Sequence, residues 1–178
     1  MKSIVIYNSQ TGFTKKYADW IAEEAGCEVV PLKKAGKIKL AEYDAVVFGS
    51  WCMAESISKV DWFKKHLPAL SAAGKKLLVF LVGASPAEAP EAQAALRKNF
   101  TDDEWSKIQA FYCPGGLNYE KMGWGSRTML KMFVKMLSNK KDITQKELAQ
   151  VQMLAKSFDI SDKKYIEPIV AAIKEGFV

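Results

Sequence analysis

The chain has three cysteines, one histidine and no apolar run near the roughly 20 residues that cross a bilayer. Cys27, Cys52 and Cys113 are an odd count, far apart and without a CxxC pair. Neither a disulfide framework nor a zinc site is expected, and three buried thiols are the simpler assignment. His66, alone in "KKHLP", is expected to end a helix rather than to do chemistry. The opening "MKSIVIYNSQ" holds four consecutive apolar residues before turning polar. That is too few for a secretory leader, so the expected compartment is the cytoplasm. GxxxxGK[ST] is missing, which disfavours a nucleotide triphosphatase, and GxGxxG is missing after every expected strand, which removes the dinucleotide fingerprint. Six residues beyond the cysteines stand Lys33, Ser58 and Tyr119, never the arginine of a cysteine-dependent phosphatase loop. A phospho-acceptor receiver needs acidic residues where Asn8, Ser9, Gly49 and Ser50 stand.

What is present suffices for a globular protein. The 178 residues are 49% apolar and 26% charged, and a chain of that size buries roughly 70% of the surface it exposes when unfolded. The net charge of +6 favours acidic partners or an anionic membrane surface. No nucleic-acid partner is expected.

Short apolar runs recur between helical patterns: Lys2 to Tyr7, Cys27 to Leu32, Tyr43 to Gly49, Lys75 to Gly83 and Gln109 to Cys113. Several are apolar on both faces, as parallel strands covered by helices are. Phe13, Tyr17, Trp20, Ile21 and Ala25 form one helical face between the first two. Capping boxes mark later starts at Thr101 to Glu104 and Thr144 to Glu147; Ser85 to Glu88 has the same form, with Pro90 as the alternative start. Three helices should follow the fifth strand, over Ser126 to Leu137, Gln145 to Ser157 and Lys163 to Glu175, with Gly176 closing the last. The expected fold class is α/β: one domain over 1–178, with a doubly wound core over 1–137 and a helical extension over 138–178. In such sheets ligands bind beyond the carboxyl ends of the strands.

The loop after the first strand is "SQTGFT", Ser9 to Thr14. It leads into a helix N-terminus, whose amides and dipole favour an anion. Ser9, Thr11 and Thr14 add hydroxyl donors and Gly12 permits a tight cradle. With the other phosphate motifs missing, a terminal phosphate held by neutral donors is expected. After the third strand, Trp51 lies in "FGSWCMAES" and can cover a flat ring.

This pairing resembles the flavodoxin family, through S-Q-T-G-F-T at Ser9 to Thr14 and G-S-W at Gly49 to Trp51. The resemblance spans about residues 1–137 and implies a five-stranded parallel sheet of order 2-1-3-4-5, a fold family for which FMN at the switch point is the general example. The stretch "MLKMFVKMLSNKKDIT" is similar to the branch containing menaquinone-dependent protoporphyrinogen oxidase. By resemblance, Ser9, Gln10, Thr11, Gly12, Phe13 and Thr14 would contact the phosphate of FMN. Ser50, Trp51, Cys52, Met53 and Ala54 would contact the flavin ring. Gly83, Ala84 and Ser85 would place backbone donors near its pyrimidine edge. The glycine-rich loop Cys113 to Gly125 would gate it, with Tyr119 in contact.

Many electron-carrier members have a glycine in the ring-flanking loop, where a peptide flips to bond the half-reduced flavin. Ser50 to Ser56 contains none. A positive φ there costs about 1 kcal/mol, or roughly 40 to 60 mV of a one-electron couple. A two-electron oxidoreductase, linked to a quinone or a porphyrinogen, is therefore expected over a one-electron carrier serving a redox partner. A flavin-free interaction module is the third alternative. No residue stands out as a catalytic acid or base, and no metal site is expected.

Arg127, Lys131 and Lys135 form a basic stripe, with Leu130, Phe133, Val134 and Leu137 opposite and Met129, Met132 and Met136 beside them. Lys140, Lys141 and Lys146 continue the basic zone. A covering helix with a solvated face is one explanation. A surface for the inner face of an anionic membrane, for a quinone or for an acidic partner is the other.

Overall fold

Ile4, Val5 and Ile6 are fully buried and divide alternately between two cores. A strand with helices on both faces requires this. The computed structural model describes residues 1–53 and 55–175; Ala54, Gly176 and the Lys146 side chain lie outside the described residues. Strand β1 (Ser3–Tyr7) runs between β2 (Glu28–Pro31) and β3 (Ala45–Met53), whose end pairs antiparallel with the short β4 (Ser56–Ile57). Next to β3 come β5 (Lys76–Gly83) and then β6 (Gln109–Pro114). The long strands are all parallel in the order β2-β1-β3-β5-β6, the expected order of five strands, with β4 as a sixth member of the sheet.

Helix α1 (Phe13–Ala25) covers one face, burying Tyr17, Ala18 and Ile21 against Val5, Val47, Leu78 and Phe80. On the other face, α2 (Val60–Ala72) and α3 (Pro90–Lys98) bury Phe63, Leu67, Ala95 and Leu96 against Ile4, Phe48, Val79 and Leu81. Phe48 stacks on Phe63 with ring centroids 5.4 Å apart. Each such side chain contributes about 1.5–3 kcal/mol by leaving water. His66 stands inside α2 rather than at its end, its Nδ1 2.7 Å from the Trp62 carbonyl and its ring against the indole. Helix α3 starts at Pro90 and not at the Ser85 box, because proline at the first helical position needs no amide partner. The box at Thr101 does form, opening the four-residue α4 (Asp102–Trp105).

Beyond β6 the chain makes an excursion. It leaves through β7 (Gly116–Leu117) and returns through β8 (Phe158–Asp159), which pair antiparallel. Between them lie α5 (Trp124–Ser138) and α6 (Gln145–Leu154), the latter opened by the Thr144 capping box. Helix α5 buries no residue completely. The last helix, α7 (Glu167–Lys174), follows a 3₁₀ turn over Lys163–Ile166 and returns to the α1 face. Ile166, Ile169, Val170 and Ile173 enter that core, so the segment read as an extension supplies part of the main packing. Tyr17 fastens this corner: its buried hydroxyl donates to the Pro114 carbonyl at 2.6 Å and accepts from the Asp162 amide at 3.1 Å. Of the three cysteines, Cys113 alone is fully buried; Cys27 and Cys52 are half-buried. No helix among the described residues is long and apolar enough to cross a membrane.

Candidate functional site

The carboxyl ends of β1 and β3 are tied together beneath the expected phosphate loop. Asn8 donates its backbone amide to the Gly49 carbonyl at 2.8 Å, and its side-chain amide reaches the Ser50 and Ser58 hydroxyls at 3.2 and 3.1 Å. Ser50 in turn donates to the Ser58 carbonyl at 2.6 Å. From this base the loop turns into α1 through Gly12, whose φ of 105° lies in the left-handed region that side chains rarely adopt. Helix α1 has no side-chain cap and no acidic residue in its first turn. Its first intrahelical bond runs from the Lys16 amide to the Gly12 carbonyl, so the amides of Phe13, Thr14 and Lys15 have no acceptor within the helix. Thr14 is 1% exposed, and its hydroxyl makes no hydrogen bond among the described residues. An unpartnered hydroxyl and free amides at an uncapped N-terminus fit an anion with several acceptor oxygens.

One large cavity, about 360 Å³, opens beside this loop and lies in the size range of small-molecule sites. Gln10, Thr11, Phe13 and Thr14 enter its lining, as do Trp51, Cys52 and Met53 at the end of β3, and Gly83, Ala84 and Ser85 after β5. Three segments far apart in sequence thus line one cavity, which sets the uncapped start of α1 next to an apolar slot with an indole in its wall. A Cβ on Gly83 would lie 2.3 Å from the Tyr112 hydroxyl, so glycine is the residue that allows these strands to close here. Tyr112 lines the same cavity and donates to the Ser85 carbonyl at 2.9 Å, and burial raises its hydroxyl pKa. Burial also pushes the Cys52 thiol up to about 11, leaving it protonated at neutral pH.

The loop after β3 carries a feature hidden from the sequence. Glu55 lies in the left-handed region, at a φ of 64°, so the glycine-free turn already holds the positive φ that the sequence counted against it. The Asn99 side-chain amide donates to its carbonyl at 2.7 Å, and Lys98 pairs with its carboxylate at 2.7 Å. Asn99 also accepts from the Ile57 amide at 3.0 Å, clamping both sides of the turn.

Several expected residues stand elsewhere. Ser50 is fully buried beneath the site, outside the cavity lining. Ser9 accepts from the Gly12 amide at 3.2 Å; with Gly12 it lines a second hollow of about 350 Å³, which Gln10 and Thr11 also touch. The surroundings there are not purely neutral, because Lys15, Lys33 and Lys121 line that hollow. Ala54 lies outside the described residues. Tyr119 is not brought to the main cavity: its hydroxyl donates to the Leu154 carbonyl at 2.6 Å and its amide to the Ser157 hydroxyl. The expected gate instead contributes Gly116, Leu117 and Met122, and Trp124, assigned to that loop, is the first residue of α5 and 84% exposed.

A second stretch of cavity wall escaped the sequence reading. It comes from the excursion and includes Met129, Leu130 and Phe133 of α5 with Gln150 and Leu154 of α6. The methionine-rich flank of α5 was its one visible signal. The basic stripe is also altered: the Arg127 guanidinium turns back to the Tyr119 and Glu120 carbonyls, leaving Lys131 and Lys135 exposed. Met129, Met132, Phe133 and Met136 are exposed on the same helix.

The family model described as a flavodoxin domain matches residues 4–144. Among curated proteins, protoporphyrinogen IX dehydrogenase (quinone) of Escherichia coli strain K12 is 24% identical over 157 residues, covering 83% of this chain and 86% of that one. The protein of the same name from Leishmania major is 23% identical over 171 residues, covering 88% of this chain and 74% of that one. Among solved structures, two-electron reduced Megasphaera elsdenii flavodoxin aligns with a TM-score of 0.47 at 18% identity, over 62% of this chain and 82% of that one.

Proposed function

Because the chain belongs to the flavodoxin domain family, we propose that its cavity binds FMN and that the protein is a two-electron oxidoreductase. The observation that carries this is the uncapped start of α1, with the unpartnered hydroxyl of the buried residue Thr14, opening directly onto an apolar slot walled by Trp51. Gln10, Thr11 and Thr14 and the amides of the first turn hold the phosphate. Trp51, Cys52 and Met53 flank the ring, and the backbone from Gly83 to Ser85 faces its polar edge. Bound there, FMN supplies the electron-accepting ring, while the protein supplies orientation, exclusion of water and tuning of potential.

The turn clamped at Glu55 favours two electrons over one. Two successive peptides of the turn, held by Asn99 at the Glu55 carbonyl and the Ile57 amide and by the β3–β4 pairing, resist the rearrangement with which carriers stabilise the half-reduced flavin. The curated relatives carry a quinone in their names, and a quinone or porphyrinogen is the substrate class we assign. We further infer contact with the inner face of an anionic membrane through α5, where Lys131 and Lys135 flank an outward methionine arc that continues into the cavity lining at Met129 and Phe133. A quinone dissolved in lipid would then enter from the membrane side.

The test is the visible spectrum of the FMN-loaded protein during slow anaerobic reduction. Direct passage from oxidised to fully reduced flavin supports the proposal. Accumulation of half-reduced flavin transfers it to the one-electron carrier. If FMN at a hundred times its expected dissociation constant fails to add the roughly 2.7 kcal/mol that linkage requires, the flavin-free module is left.

A further inference from the structure

The excursion wall of the cavity is apolar with one exception. From Gly116 to Leu154 the lining residues are Gly116, Leu117, three residues of α5, Met122, Leu154 and Gln150. Among them Gln150 alone carries a side-chain amide, hydroxyl or charge. It sits within α6, is half-buried, and its side-chain amide makes no hydrogen bond among the described residues. An amide on such a wall loses its water when an apolar ligand fills the cavity, and desolvation without a new partner is costly.

The rest of the lining narrows the ligand. Glu55 and Glu91 are the charged residues of its described lining, and among the described residues no lysine or arginine lines it; the Lys146 side chain, one turn before Gln150 on α6, lies outside the described residues. The Glu55 carboxylate is paired with Lys98. Among the described residues, a tetrapyrrole bearing carboxylates would meet carboxylates and no cation. A neutral bicyclic quinone meets apolar walls along its ring and needs one donor for a carbonyl oxygen, which the Gln150 amide provides.

We propose that Gln150 is the specificity-determining residue of this cavity, donating a hydrogen bond to a carbonyl of a neutral quinone held against the excursion wall. The proposal rests on the FMN reading of the site and names the class of its second ligand. Polar recognition of this kind separates ligands that have the hydrogen-bonding group from those that lack it, whereas apolar contact alone does not.

The experiment titrates the FMN-loaded full chain with 2-methyl-1,4-naphthoquinone, with carbonyl-free 2-methylnaphthalene and with a carboxylate-bearing porphyrin, in the wild type, Gln150→Leu and Gln150→Met. FMN affinity is measured first in all three proteins. The expected result is equal FMN affinity throughout, a roughly 5- to 10-fold loss of quinone affinity in both variants, and naphthalene binding unchanged or tighter. Equal losses for quinone and naphthalene would make Gln150 a mere part of the wall and overturn the proposal. So would an unchanged quinone affinity, or a wild-type preference for the porphyrin. Failure of the wild type to bind FMN at all would instead remove the underlying site reading, and the first titration reports that separately.

Discussion

Replacing Gly83 with alanine places a methyl group 2.3 Å from the Tyr112 hydroxyl and 3.0 Å from two of its ring atoms. Tyr112 is 9% exposed and anchored by its bond to the Ser85 carbonyl, so it has little room to withdraw. Overpacking of this kind costs about 1–3 kcal/mol, and loss of the hydrogen bond adds about 1 kcal/mol. The expected destabilisation is about 2–4 kcal/mol, or roughly 4–16 °C in melting temperature for a domain of this size. Tyr112→Phe alone should cost only about 1 kcal/mol, since it removes the hydroxyl and keeps the ring. Combined, the two should cost less than their sum by at least about 1 kcal/mol, because the atom struck by the new methyl is gone. Urea unfolding of the four proteins measures this cycle. Additivity within about 0.5 kcal/mol would show that residue 83 does not press on Tyr112 and would refute the proposed geometry of the β5 and β6 ends.

Thr11→Val and Thr14→Val should each weaken FMN binding by about 10- to 100-fold while leaving the melting temperature of the flavin-free protein nearly unchanged, as hydrogen bonds to a charged group are worth about 1.5–3 kcal/mol. Unchanged affinity in a titration would contradict the cradle. Cys52, with its thiol near 11, should react with iodoacetamide at pH 7 about 100-fold more slowly than a thiol of pKa 9.0, the rate rising with pH until about 11. Rapid labelling of Cys52 at pH 7, followed by mass spectrometry, would contradict its burial. Lys131→Glu with Lys135→Glu should reduce sedimentation with vesicles containing anionic lipid by about 30-fold or more at low salt, at about 1 kcal/mol per lysine, and leave binding to zwitterionic vesicles unchanged. Equal sedimentation of variant and wild type would remove the membrane contact.

The central sheet was legible because β1, β3 and β5 are buried on both faces and read as continuous apolar runs between helical patterns. The two-residue strands β4, β7 and β8 were not, since nothing local makes Ser56–Ile57 or Gly116–Leu117 extended; their pairing partners do. The loop Ser9 to Thr14 was legible as a motif and the Trp51 loop as a position beside the same cavity. Lys33 and Lys121 were invisible as neighbours of that loop because one follows β2 and the other follows β6, and only the folded chain brings them together. Tyr119 was misplaced for the same reason, as its partner Leu154 lies 35 residues away at the end of another helix. The amphipathic pattern of α5 was plain, but periodicity cannot tell which of two apolar arcs faces a cavity. The structure assigns Leu130 and Phe133 to the lining and leaves Met132 and Met136 outside. Glu55 carries no sequence signal for positive φ, and its conformation depends on Asn99 across the fold.

The most direct test of the account is a pair of equilibrium titrations of the flavin-free protein, one with FMN and one with riboflavin, which differ only in the phosphate. The account predicts that FMN binds at least about 100-fold more tightly, since the Thr11 and Thr14 hydroxyls and the first-turn amides of α1 serve the phosphate alone. Equal affinities would contradict it.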